Sequence, residues 1–212
     1  MKAVLISIRP QWCEKIASGK KTIEVRKSAP KEVPFKAYIY ATRPKKYYKC
    51  GAVITSDEFL WLANGEVERG EGFKFWADGD EYQCLNGQVI GEFICDKVYL
   101  IKNQGIRFSV ADEEQSVTNE IARQSCLYYV DMLDYLGNKD GYGWHISDLK
   151  IYDKPKELSE LWGRKNCLAA DTVECWNCFA ACREINGRRY QPLRRPPQSW
   201  CYIEETALWT NK

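Results

Sequence analysis

Between residues 19 and 26 the chain reads Gly-Lys-Lys-Thr-Ile-Glu-Val-Arg, and no other stretch restricts its folding so tightly. Ionic groups of both signs are set into a run that is otherwise built like a buried strand, so they need either partners or a task. On a period of two, Ile23 and Val25 face one side while Thr22, Glu24 and Arg26 face the other, with Lys21 at the mouth of the strand. Upstream, the sequence predicts a short helix over residues 10–18. Pro10 suits a first helical position, Trp12 and Ile16 lie one turn apart, and Gly19 suits the left-handed residue that follows a helix end.

The spacing of Gly19, Lys21, Glu24 and Arg26 matches G-x-K-x-x-E-x-R. Together with the leading segment Ile6-Ser7-Ile8-Arg9-Pro10-Gln11-Trp12, it resembles the ASCH (activating-signal-cointegrator homology) domain. The segments Gly141 to Leu149 and Arg195 to Tyr202 look like stretches of phage and bacterial members. The resemblance implies an α+β fold of PUA-like type, a small mixed β-barrel with flanking helices, here carrying two insertions. It also implies a cleft lined by the signature residues, usually associated with RNA binding and, in a few relatives, with hydrolysis. Some of those relatives resemble amidohydrolases of acetylated cytidine, in which a lysine activates a threonine three residues later. This chain has Lys21 but carries Glu24 at the threonine position, and Thr22 is at the wrong spacing, which speaks against that mechanism.

The 212 residues, 45% hydrophobic and 13% aromatic, suit a single globular domain over residues 1–212. No apolar run reaches the length of a membrane span, and Arg9 and Pro10 interrupt the amino-terminal strand too early for a secretory segment, so no membrane association and a cytoplasmic location are expected. The net charge of +2 conceals a segregation: residues 1–49 hold thirteen Lys and Arg against three Glu, and residues 50–81 hold eight Asp and Glu against two Lys and Arg. A positive module of this kind attracts polyanions, and Arg43 to Lys49 interleaves basic and aromatic residues as nucleic-acid-binding segments do. The alternatives are that the lysines of this module only keep a small barrel soluble, and that Lys21, Glu24 and Arg26 form a solvated salt-bridge face.

Along the chain, residues 3–8 and 35–42 read as strands, the latter with Tyr38 and Tyr40 on one face and Ala37, Ile39 and Ala41 on the other. Residues 50–86 read as an acidic insertion and residues 103–140 as a helical one, with a stripe running through Val117, Ile121, Cys126, Val130 and Leu133 until Gly137 ends it. Gln88 to Ile101 reads as one long strand that bends at Gly91. His145, the single histidine, could serve as a general base, although a histidine ahead of a strand is more often a hydrogen-bonded structural residue.

Residues 165–195 form a Cys- and Arg-rich segment. Cys175 and Cys178 make a C-x2-C knuckle that, with Cys182 and either Cys167 or Cys201, supplies four thiolates for a structural zinc. The same stretch also reads as a buried helix in which cysteine is a small hydrophobe. No other cofactor is expected. Pro196 and Pro197 lead into a last strand that, in ASCH-like proteins, returns beside the first and brings Gln198, Ser199 and Trp200 toward the signature residues.

The ligand set expected from these observations is Arg9, Trp12, Lys21, Glu24, Arg26, His145, Ser199 and Trp200. The expected function is a module that binds RNA or a nucleotide-like ligand in a basic cleft. The alternatives are a hydrolase of RNA or a modified nucleoside, in which Lys21 and Glu24 would be catalytic, and a protein-interaction domain working through the insertions.

Overall fold

The computed structural model describes residues 1–42, 53–54, 59–60, 74–77, 80–83, 87–104, 108–164, 183–185 and 188–205. The zinc candidates Cys167, Cys175, Cys178 and Cys182, the basic segment Arg43 to Lys49 and most of the acidic insertion lie outside these residues.

The chain opens with strand β1 (Lys2–Ile8), helix α1 (Pro10–Ala17), strand β2 (Ile23–Arg26) and strand β3 (Phe35–Ala41). Pro10 occupies the first turn of α1, and Gly19 takes φ +72° just beyond it, so the expected punctuation is present. Two small antiparallel pairs follow, β4 (Val53–Ile54) with β5 (Phe59–Leu60) and β6 (Lys74–Ala77) with β7 (Asp80–Gln83). After them come β8 (Val89–Cys95), β9 (Val98–Asn103), β10 (Phe108–Val110), helices α2 (Gln115–Ser125) and α3 (Tyr129–Leu136), and strands β11 (Gly141–His145) and β12 (Ser147–Lys156). The chain closes with β13 (Trp162–Arg164), β14 (Arg183–Ile185), β15 (Arg188–Pro192) and β16 (Trp200–Glu204).

Two sheets carry the fold. The larger has the order β12-β8-β3-β1-β16-β13-β15-β14, and the smaller β10-β9-β11-β2. In the larger sheet β1 runs parallel to β3 and antiparallel to β16, with Ile6 opposite Trp200, so the last strand does return beside the first. The architecture is α+β with helices against the sheets, but among the described residues the ladders do not close into a barrel. The chain instead turns from one sheet to the other at two corners, Asp96-Lys97 between β8 and β9 and Ile146 between β11 and β12, where the His145 N–H donates to the Lys97 carbonyl oxygen and the Ile146 N–H to that of Thr22, each at 2.9 Å. The first corner also divides the expected strand from Gln88 to Ile101 in two.

Alternation explains the layers. Val4, Ile6 and Ile8 of β1 join Ala37, Ile39, Phe93, α1 residues Cys13 and Ile16, and Trp144 in one core, while Ala3 and Leu5 join Tyr38, Tyr40, Leu158 and Ile203 on the opposite face of the sheet. Since both faces are covered, β1 reads as an unbroken apolar run. Gly91 lies where a side chain is excluded, because a Cβ there would come within 2.5 Å of the Lys150 carbonyl oxygen.

The helical stripe departs from the expected one. Cys126 adopts φ +54° and stops α2, so α3 restarts in a new phase that buries Met132 and Leu136 and leaves Val130 exposed. Gly137 ends α3 as its sequence position suggests, at φ +64°. No helix among the described residues is long and apolar enough to cross a membrane.

Candidate functional site

Strand β2 is where local sequence and tertiary packing meet. Its apolar face goes to the helices: Val25 packs with Ile101, Met132 and Leu136, and Ile23 with Val110 and Ile121. Glu24 and Arg26 therefore point the other way, as the period of two requires. They do not reach open water. Lys21, Glu24 and Arg26 keep only 2%, 6% and 6% of their surface, which overturns the solvated-face alternative.

Buried charges must be paired and hydrogen-bonded, and these are. Glu24 holds both neighbours at once, with Oε1 2.9 Å from Arg26 Nη2 and Oε2 3.3 Å from Lys21 Nζ. Arg26 Nη2 also donates to the Ser7 carbonyl oxygen of β1 at 2.7 Å. Lys21 Nζ donates to the carbonyl oxygen of Ser125, the last residue of α2, where the negative end of the helix dipole favours a cation. Burial lowers the Lys21 pKa from the ordinary lysine value, against the pull of the Glu24 carboxylate.

One donor in this cluster remains unmet. Arg26 Nε is buried and has no hydrogen-bond partner, although Arg26 lines an open hollow of about 990 Å³. A buried N–H left unpaired costs about 1–3 kcal/mol, so a guanidinium held in this way is a standing demand for an acceptor.

The hollow is assembled from five parts of the chain, one of them Tyr40 and Thr42 at the end of β3. Lys21, Glu24 and Arg26 form one part, and Arg9, Gln11 and Trp12 at the start of α1 form another. Asp131, Asp134 and Tyr135 come from α3, and Pro196, Pro197 and Gln198 from the approach to β16. Ser7 ties the last of these to β1, because its Oγ donates to the Pro197 carbonyl oxygen at 2.6 Å and its N–H donates to that of Ser199 at 2.9 Å. Trp12 presents an aromatic surface, with Lys15 Nζ 4.9 Å and Lys21 Nζ 5.2 Å from its ring centroid. Tyr135 presents another, with Lys27 Nζ at 5.3 Å.

Of the expected ligand residues, the structure brings Arg9, Trp12, Lys21, Glu24 and Arg26 to one hollow. The other three lie elsewhere. His145 follows Trp144 on β11 and so faces the opposite way, where its Nδ1 lies 2.6 Å from Asp96 Oδ1. Trp200 packs against the core, edge-on to Trp144 at 5.7 Å, and its Nε1 donates to Ser28 Oγ at 3.1 Å. Ser199 Oγ is buried without a partner and is not among the lining groups.

Asp131, Asp134 and Tyr135 were not foreseen, since they lie about a hundred residues from the signature on a helix read only as core packing. The spacing of Asp131 and Asp134 along α3, on the face away from Met132 and Leu136, was the available signal. They also change the character of the site. It holds Arg9, Lys21, Arg26 and Lys27 against Glu24, Asp131 and Asp134, so it is a mixed-charge hollow and not a uniformly basic cleft.

Among the described residues, no group of three or more His, Cys, Asp or Glu is arranged to hold a metal ion.

No family model matches the sequence, and no curated protein does. Among solved structures, the chain is similar to an ASCH protein from Zymomonas mobilis, at 17% identity and a TM-score of 0.49, over 96% of this chain and 89% of that one. A point-mutant form of the same protein matches with the same identity and TM-score, over 97% of this chain and 92% of that one.

Proposed function

We propose that the hollow binds a nucleotide-like ligand, either free or as a unit of single-stranded RNA. The observation that carries this reading is Arg26, a buried guanidinium with one N–H still unpartnered, lining a cavity that also has aromatic surfaces. Arg26 donates to a phosphate or carbonyl oxygen of the ligand, and Lys21 adds a positive charge beside it. Glu24 is the counter-charge that fixes both cations, because each of its oxygens already faces one of them. Trp12 and Tyr135 offer planes for a base, and the α3 carboxylates offer acceptors for its N–H groups. With Asp131 and Asp134 offsetting part of the positive charge, binding rests on base contacts as well as on attraction to phosphate.

The test is titration of the protein with nucleoside monophosphates and with short single-stranded RNA, comparing wild type with Arg26→Ala. Loss of a charge-assisted hydrogen bond worth about 1.5–3 kcal/mol weakens binding by roughly ten- to a hundredfold. Equal affinities in the two proteins would refute the assignment.

A second reading, hydrolysis of RNA or a modified nucleoside, is favoured by one observation: burial lowers the Lys21 pKa, so a neutral amine able to accept a proton forms at lower pH than in an ordinary lysine. It is separated from simple binding by product analysis of the same mixtures. Turnover that disappears in Lys21→Ala supports the enzyme, whereas stoichiometric binding without product supports the module.

A further inference from the structure

Of the three aromatic residues that line the hollow, Tyr40 packs into the cluster of Ala3 and Leu5 on the opposite face of the large sheet, while Trp12 and Tyr135 are anchored independently of each other. Trp12 belongs to α1 and packs against the core formed by β1, β3 and β8, while Tyr135 belongs to α3 and packs against the cluster around Met132 and Leu136. Each ring has its own cation. Lys15 and Lys21 lie over Trp12, and the exposed Lys27 lies over Tyr135. An ammonium over a ring occupies the same π face that a base would take, and a lysine on the surface can leave that face for a phosphate.

The polar groups divide in the same way. Arg9 and Gln11 accompany Trp12, and Asp131 and Asp134 accompany Tyr135, within one turn in each case. The volume of about 990 Å³ is at the upper end of what a single drug-sized ligand fills, roughly 300–1,000 Å³. One base held between two rings would use neither this volume nor two separate sets of cations.

Resting on the nucleotide reading above, we propose that the hollow takes two successive nucleotides of a single strand, one base stacking on Trp12 and the next on Tyr135. Arg26 lines the same hollow, and its guanidinium donates to an acceptor oxygen of this dinucleotide. Lys27, which lines the hollow, turns from the Tyr135 ring to a phosphate as the bases arrive, while Lys21 stays held beside Trp12. Duplexes are excluded, because both bases must be unstacked from their neighbours to reach the walls.

The experiment uses the full chain and a 2′-O-methyl dinucleotide bearing a 5′-phosphate, which cannot be cleaved through its 2′ position. It is compared with two analogues that keep both phosphates but lack one base or the other. Stacking contributes about 1–3 kcal/mol per base, so each abasic analogue is expected to bind about ten- to a hundredfold more weakly than the intact probe. Tyr135→Ala should bring the intact probe down to the single-base level and leave the single-base analogue seated on Trp12 unaffected, while Tyr135→Phe retains full affinity. An abasic analogue that binds as tightly as the intact dinucleotide overturns the two-base assignment, because one sandwiched base would then suffice; the nucleotide reading survives that result. Failure of all three probes to bind removes both. The comparison of probes on wild type decides the matter even if Tyr135→Ala does not fold.

Discussion

The molecule builds two clusters from nearly the same side chains, and they behave differently. Behind the large sheet, Lys36 Nζ lies 2.9 Å from Glu205 Oε1 and 3.8 Å from Glu92 Oε1. Tyr38 donates to Glu205 Oε1 at 2.6 Å, and the Tyr152 hydroxyl donates to Glu92 Oε2. Here Lys36, Glu92 and Glu205 keep 24%, 23% and 36% of their side-chain surface, whereas Lys21, Glu24 and Arg26 keep 1%, 7% and 7%. In the sheet cluster, tyrosine hydroxyls donate to the carboxylates and the ions stay partly open to solvent. At β2 the cluster is buried, and Arg26, which keeps one unmet donor, lines a cavity. A Lys-Glu pairing therefore says little about function until burial and unmet hydrogen bonds are known.

The largest expected contrast is in stability. Glu24→Gln leaves two buried cations without their counter-charge and should cost about 3–5 kcal/mol in denaturant unfolding. A loss below about 1 kcal/mol would mean that the β2 cluster is energetically a surface feature like the other.

A smaller effect separates the clusters by pH. The folded Lys21 has a lowered pKa, so the unfolded chain binds more protons between that value and the ordinary 10.5, and stability rises with pH across this window. Wild type should gain stability on approaching pH 10.5, and Lys21→Met should lack that gain; parallel pH profiles would place the Lys21 amine in water. Glu205 runs the opposite way. Burial alone would raise its pKa, but the Tyr38 hydroxyl and Lys36 outweigh it and hold the carboxyl below its usual 4.5. Its contribution is present above pH 4.5 and is lost as pH falls through the depressed value.

The smallest effect is expected from Glu205→Gln at neutral pH, within about 1 kcal/mol of wild type, because a partly exposed pair is screened and replaceable by solvent. Its signature is a flatter acid limb in the unfolding profile. A cost equal to that of Glu24→Gln would remove the distinction drawn between the two regions.

The membership of the β2 cluster, though not its burial, could be read from residues close together in the chain. Gly19, Lys21, Glu24 and Arg26 span a single helix end and one four-residue strand, so their spacing alone fixes which side chains share a face. The alternation in β3 and the stop at Gly137 were legible for the same reason. His145, Ser199 and Trp200 were not, because each sits at a register position whose facing direction depends on a distant partner. Trp144, not His145, lies opposite Glu24, and the chain lines the hollow at Gln198 before Trp200 is drawn into the core against Trp144.

By itself, then, the sequence determined the charged ribbon, the helix that precedes it and the alternating core strands, since these depend on periodicity and turn chemistry within a few residues. Tertiary structure alone decided that the ribbon's charges are buried, that α3 brings Asp131, Asp134 and Tyr135 to the same hollow, and that Arg26 keeps an unmet donor there. Burial and hydrogen-bond satisfaction are properties of what surrounds a group, and for β2 those surroundings come from β1, α2, α3 and the approach to β16, segments separated by up to most of the chain's length.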